Sequence, residues 1–250
     1  PEQRKAIIAS YAPHEREARV NGVPTLGSGR IFPIEEAAIT VEPFPCPKHF
    51  ARLGALDFGW DHPSAAVELW WDRDMDIVYV TKAHRAREQT PVLFAAAVRP
   101  WCSWMRWAWP HDGLQHSKDS GEPLRDQYAK QGLRMLPNKA THPPQPGDEE
   151  GTGGFGVEAG LIDMLDRMQT GRFKVFSHLA DWFEEFRMYH RENGKVVKLD
   201  DDLMSATRIG CMMLRHAGTE PREHRALDYN RARGGAPMSR GGGPLSGSRR

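Results

Sequence analysis

The stretch RLGALDFGWDHPSAAVELWWDRDMDIVYVTK, residues 52–82, decides the fold. Three apolar or alternating runs, RLGALDF, AAVELWW and DIVYVTK, are separated only by the turn-forming stretches GWDHPS and DRDM. Runs of this length with such short connections predict three sequential strands, each antiparallel to the one before. One residue breaks the pattern. Asp57 falls inside the first strand, where burying an unpaired carboxylate costs on the order of several kcal/mol. The rest of the chain must therefore supply its partner. Gly59 and Pro63 turn the chain away just beyond it, which leaves Asp57 at the end of a rigid strand.

Beyond the three strands, Thr90 and Pro91 read as the cap and first turn of a helix over TPVLFAAAVRPWCSW. MRWAWP reads as a fourth strand, GEPLRDQYAKQG as a helix closed by Gly132, and LRML as a further strand. Residues 137–155 are rich in Pro and Gly and read as a surface loop. Val157, Leu161, Met164, Leu165 and Met168 mark one helix face, and Leu179, Trp182, Phe183, Phe186 and Tyr189 mark another. RFKVF between them is a short extended element, and Asn193-Gly194 predicts a basic β-hairpin within RENGKVVK. A last helix follows DDD at 200–202, with Leu203, Ala206, Ile209, Gly210 and Met213 on one side.

The ends have a different character. Residues 1–50, with a short amphipathic segment PEQRKAIIASY followed by NGVPTLGSGRIFPI, read as a connector; residues 51–216 form the folded domain; residues 217–250 read as a disordered, Arg- and Gly-rich basic tail. The chain has 250 residues, is 39% hydrophobic and contains eight Trp and ten Phe, enough for one sizeable core. Net charge is only +1, so any polyanion must be met by a local patch. No apolar run reaches the roughly 18 residues of a membrane span, and no signal-peptide pattern is present, so a soluble chain is expected. Cys46, Cys102 and Cys211 are widely spaced and read as reduced thiols. The Gly-rich GTGGFG lacks the Lys-Ser/Thr of a phosphate-binding loop, and no Walker A sequence occurs, so no ATP hydrolysis is expected of this chain. The DFG at 57–59 has no accompanying HRD and does not indicate a kinase.

Carboxylates recur where packing alone would not choose them. Asp57 is inside a strand, Asp112 directly follows the fourth strand in WAWPHDG, and Asp200, Asp201 and Asp202 crowd the start of the last helix. Singly, each reads as a turn or cap residue. Gathered at one sheet edge they would repel one another unless a cation sat between them. Hard divalent cations take oxygen ligands, and two of them about 3.5–4 Å apart can hydrolyse a phosphodiester.

The order of three strands, helix, strand, helix, strand with these carboxylates is similar to the ribonuclease H-like fold: α/β, a mixed sheet of three antiparallel strands and then parallel strands, flanked by helices. More specifically, ALDFGWDHPSAAVELWWD, WAWPHDGLQH, GVEAGLIDMLDRMQTGRFKVF, WFEEFRMYHRENGKVVK and DDLMSATR resemble, in order, segments of the C-terminal nuclease domain of the large terminase subunit of tailed bacteriophages. The resemblance implies metal-binding catalytic residues Asp57, Asp112 and one or both of Asp201 and Asp202, with Asp202 favoured; a link to a preceding ATPase domain in residues 1–50; and cutting of concatemeric double-stranded DNA with two Mg²⁺ or Mn²⁺ ions. It also implies a portal protein and a small terminase subunit as partners, and a place in the host cytoplasm. Asp61 is a turn residue or an extra ligand, and His62, His111 and His116 are surface or supporting groups. Arg191, Lys195 and Lys198 around the hairpin are the favoured DNA contacts, with Lys118, Lys139, Lys174 and Arg187 as further candidates. The rival readings are a non-catalytic DNA- or portal-docking module, and another ribonuclease H-like enzyme such as a resolvase or exonuclease.

Overall fold

The computed structural model describes residues 29–115, 121–144, 154–192 and 194–221. The amphipathic segment expected at residues 1–11 and the basic stretch from residue 222 onward lie outside them. Residues 29–50, expected as connector, are built into the domain. Ile31, Phe32 and Ile39 are buried, and a single helical turn α1 (Glu36–Ile39) leads into strand β1 (Thr40–Val41).

Strands β2 (Ala51–Asp57), β3 (Ser64–Asp72) and β4 (Ile77–Ala86) form the antiparallel meander that the opening stretch dictates. Helix α2 (Pro91–Val98) follows, then β5 (Arg106–Ala108), helix α3 (Leu124–Lys130) and β6 (Arg134–Met135). Thr90 stands at the first cap position of α2 but makes no side-chain cap hydrogen bond. Helix α4 (Val157–Gln169), β7 (Phe173–Phe176), α5 (Ala180–Met188), a hairpin of β8 (Arg191–Glu192) and β9 (Lys195–Val196), and α6 (Asp202–Met212) complete the chain. The main sheet runs β1-β7-β4-β3-β2-β5-β6, antiparallel at its centre and parallel outward on both sides. This is the α/β architecture read from the sequence.

The pleat of β2 sorts the helices. Ala55 faces α6, where a Cβ added to Gly210 would lie 3.2 Å from it and 2.5 Å from Leu69 Cδ1. Only glycine lets the helix lie this close to the sheet. Phe58 belongs to the opposite face, stacking near Tyr128 of α3 (5.0 Å), which in turn meets Phe94 of α2 (6.1 Å). Helices α4 and α5 flank α6, and Trp182 Nε1 donates to Thr207 Oγ1 (2.9 Å) to lock α5 against it. All five residues of the 179–189 apolar stripe are buried, as expected, whereas Val157 at the start of the α4 stripe is exposed.

Two loops are firmer than their composition suggests. Within 137–144, Ala140 and Thr141 are buried and Ala140 N–H donates to Trp109 C=O (2.8 Å). After α6 the chain returns to the sheet, where Arg52 and Gly218 exchange backbone hydrogen bonds of 2.7 and 3.2 Å. At the sheet centre Glu68 is fully buried, held by Arg52 Nε (2.7 Å) and with Lys82 Nζ at 3.0 Å. Glu68 is the single charge in the run AAVELWW, and its partners come from neighbouring strands rather than from that run.

Candidate metal centre

By period two, Asp57 lies on the same face of β2 as Ala55, the face that α6 covers. The turn beyond it depends on Gly59, where an added Cβ would meet the carbonyl oxygens of His62 and Pro63 at 2.4 and 2.5 Å. Ser64 Oγ closes that turn, accepting from Gly59 N–H (3.1 Å) and donating to Gly59 C=O (2.8 Å). Asp112 sits in the 3-10 turn His111–Leu114 just past β5, the strand beside β2. Its Oδ1 is buried and has no hydrogen-bond partner among the described residues.

The third contribution comes from α6. Asp201 is its cap residue and Asp202 its first helical residue, yet neither carboxylate caps the helix. Glu185 of α5 does so instead: its Oε2 accepts from the backbone N–H groups of Leu203 (2.6 Å) and Met204 (3.3 Å), and its Oε1 from Arg85 (2.9 Å). With the helix end served from outside, Asp201 and Asp202 are left to face the cleft. Asp202 is buried and receives His62 Nδ1 at 2.8 Å.

Asp57, Asp112, Asp201 and Asp202 all line one cleft of about 610 Å³, together with His62, Tyr189, Lys195, Lys198, Asp200, Ser205 and Arg208. Its electrostatics are those of crowded acids. Burial, then the charge of Asp112, pushes the Asp57 carboxyl up to about 8 against the pull of Arg208, with Asp201 and Asp202 adding to the rise. Burial raises Asp112, and burial with Asp202 raises Asp201. Glu185 is pushed up to about 8 by burial, opposed by the Leu203 N–H and Arg85. Burial would lower the His62 imidazole, but the hydrogen bond to Asp202 and the charges of Asp202 and Asp57 together raise it. Such an arrangement favours protons or metal ions among the carboxylates.

The remaining expected residues fall elsewhere. Asp61 is exposed and does not line the cleft; Asp200 does, in a left-handed backbone conformation (φ 51°). His111 stacks near Phe155 (5.7 Å), while His116 and Lys118 lie outside the described residues. Lys195 and Lys198 are at the cleft, whereas Arg191 is clamped bidentately onto Glu158 at the start of α4. Arg187 pairs with Glu36 and Lys174 donates to Ala38 C=O, so both hold the 36–41 segment. Lys139 lies over the Phe155 ring. Among the described residues, the trio with ligand atoms within 4.8 Å of one another is His49, Asp72 and Asp74, outside the cleft. There Asp72 Oδ1 already accepts the Asp74 and Met75 N–H groups of the β3–β4 turn. The cleft carboxylates are spread more widely.

Sequence reading missed Glu185 and Arg208. Glu185 is a charge inside the 179–189 apolar stripe, and Arg208 falls on the Asp201 side of its helix; both signals were present in the spacing.

Comparison with known proteins places this architecture. The terminase RNaseH-like domain family matches residues 54–214. The large terminase subunit of Salmonella phage P22 is 51% identical over 217 residues, 86% of this chain and 42% of that protein. That of Enterobacteria phage LP7 is 51% identical over 213 residues, covering 85% and 43%. The chain thus spans less than half the length of these relatives. The solved P22 large terminase nuclease domain superposes with a TM-score of 0.69 at 48% identity, covering 77% of this chain and 95% of that one. The large terminase of a thermophilic bacteriophage shares the fold at a TM-score of 0.54 and 13% identity, covering 74% of this chain and 47% of that one.

Proposed function

Because the chain belongs to the terminase RNaseH-like domain family, we propose that it is a metal-dependent endonuclease cutting concatemeric double-stranded viral DNA during genome packaging. The observation that carries this reading is the convergence of carboxylates from a strand end, a following turn and a helix start on one cleft. The donor set suits hard divalent cations. It is all oxygen, it includes the unpartnered Oδ1 of Asp112, and it holds Asp57 in its proton-bearing form when no cation is present.

Asp57, Asp112, Asp202 and Asp201 would hold two ions, Mg²⁺ or Mn²⁺, a pair whose ligands extend over a wider span than a single-ion cage. Bound there, the ions would activate a water for in-line attack and offset charge on the leaving 3′ oxygen. The protein's own contribution is rigidity. Asp57 is fixed by the β2 ladder, Asp112 by a turn hydrogen-bonded through Gly113 N–H to Pro110 C=O (3.1 Å), and Asp201 and Asp202 by the Glu185 cap. Lys195 and Lys198 at the rim would draw the phosphate backbone in without reading bases, leaving cut-site choice to a small terminase subunit and docking to a portal protein. Arg191 would reach phosphate only by releasing Glu158. Residues 1–50 would lead from an ATPase domain, with residues 29–50 already packed into the nuclease that continues through residue 216; residues 217–250 would be a basic tail whose start stays paired with the sheet at Gly218, and the setting would be the host cytoplasm. No helix among the described residues is long and apolar enough to cross a membrane.

Plasmid cleavage tests the reading. With Mn²⁺, closed circular DNA should be nicked and linearised, and EDTA, Asp57→Ala or Asp112→Ala should abolish the cut. Cleavage that survives either substitution refutes the site, and digestion of labelled linear ends with circles left intact identifies an exonuclease instead.

A further inference from the structure

One cation in the acidic cleft answers to none of its carboxylates. Arg208 follows Asp201 by seven residues and Ser205 by three, so the helical period sets all three on one face of α6. That stripe lines the cleft, while Leu203, Ala206 and Gly210 are buried on the sheet side. The Arg208 stem lies across Gly160 of α4, where an added Cβ would come within 2.7 Å of its Cγ and 3.0 Å of its Cδ. The groove over Gly160 thus confines a side chain that would otherwise sample many rotamers.

The charge of Arg208 is felt at Asp57 and Asp201, whose carboxyls it draws down. Yet it forms no ion pair with a carboxylate among the described residues. Its Nη1 lies 3.4 Å from Met212 Sδ, a weak acceptor, and its Nε is buried with no partner. A guanidinium is a planar fork of donors that matches two oxygens of a phosphate. A buried donor without an acceptor is costly, and none of the cleft carboxylates lies within ion-pair distance of this fork.

We propose that Arg208 binds a nonbridging oxygen of the phosphodiester held in this cleft. The inference rests on the nuclease reading above and adds the side chain that grips the substrate. As water attacks phosphorus and the bond to the 3′ oxygen breaks, negative charge grows on the nonbridging oxygens, and a positioned fork of donors stabilises it. No bond to Arg208 forms or breaks. With no carboxylate among the described residues in ion-pair reach, the guanidinium gains a two-oxygen partner when phosphate arrives.

The test compares Arg208→Gln and Arg208→Lys with the parent in four measurements: plasmid cleavage with Mn²⁺, binding of a short labelled duplex in Ca²⁺ across a salt series, Mn²⁺ calorimetry without DNA, and thermal melting. Arg208→Gln should cut at least about tenfold more slowly. It should also lower the slope of log affinity against log salt by about 1, while binding Mn²⁺ as tightly as the parent or more tightly. Arg208→Lys should recover the salt slope but not the full rate, since a point charge lacks the fork. Parental cleavage with a parental slope overturns the proposal. So does a joint loss of Mn²⁺ binding and cleavage with the slope unchanged, which would make Arg208 a support for the carboxylates. If the parent itself does not cut, the nuclease reading fails, and the salt slope still decides whether Arg208 meets phosphate.

Discussion

Replacing Asp57 by Asn should make the metal-free protein more stable and abolish its cutting. The carboxyl is raised from 3.8 to about 8, first by burial and then by Asp112. Between those values the native state keeps a proton that the unfolded chain has lost, so stability falls as pH rises through the window. Each pH unit above 3.8 costs the native state about 1.4 kcal/mol, which sets a ceiling of about 5 kcal/mol at pH 7.5 and under about 2 kcal/mol at pH 5. Asp57 retains partial exposure, and solvent relaxation that halves these figures leaves about 2–3 kcal/mol at pH 7.5. Asn has the same shape and no charge to desolvate. Thermal melts in EDTA should place Asp57→Asn above the parent by about 5–10 °C at pH 7.5, with little difference at pH 5. Adding Mn²⁺ should raise the parent and leave the variant nearly unmoved. A parent at least as stable as the variant at pH 7.5, or a gap independent of pH, would refute the account of a strained carboxylate waiting for a cation.

Two further outcomes follow from the packing around α6. Glu185→Ala removes the acceptor shared by the Leu203 and Met204 N–H groups, so chemical denaturation should show a loss of about 1–3 kcal/mol, and cleavage should weaken as Asp201 and Asp202 lose their fixed helix start. Gly210→Val drives a branched side chain into Leu69 and Ala55, and should cost about 1–3 kcal/mol or more by the same measurement.

The central meander was legible because GWDHPS and DRDM are unmistakable turns and the runs between them are long enough to show their period. Asp57 was legible for the opposite reason, as the one residue that contradicts its strand. Asp112, Asp201 and Asp202 were legible as positions, and the cleft brings them together as expected. Other features were hidden by distance along the chain. Thr40 and Val41 are two residues, too few to show alternation, and they become a strand only because β7 offers a free edge. The cap on α6 could not be read at Asp200–Asp202, since the capping group is Glu185 on another helix. Lys174 and Arg187 look like open surface charges in the sequence, and only the fold reveals that the 36–41 segment occupies them.

The bridge between Arg52 and Gly218 gives the domain a mechanical character. Strand β2 ends at Asp57 and has Arg52 near its start; α6 begins at Asp202 beside that end and returns, through its closing turn, to Gly218 beside the other. Strand and helix are the two arms of a pair of tongs, pivoted at Arg52 and Gly218, with acidic jaws roughly 17 Å away at the strand's rise per residue. Gly210 is where the arms touch. If Asp57 and Asp202 hold cations as proposed, a side chain wedged there would widen the gap between them from a distance and shift the preference among ions of different radius without touching any ion.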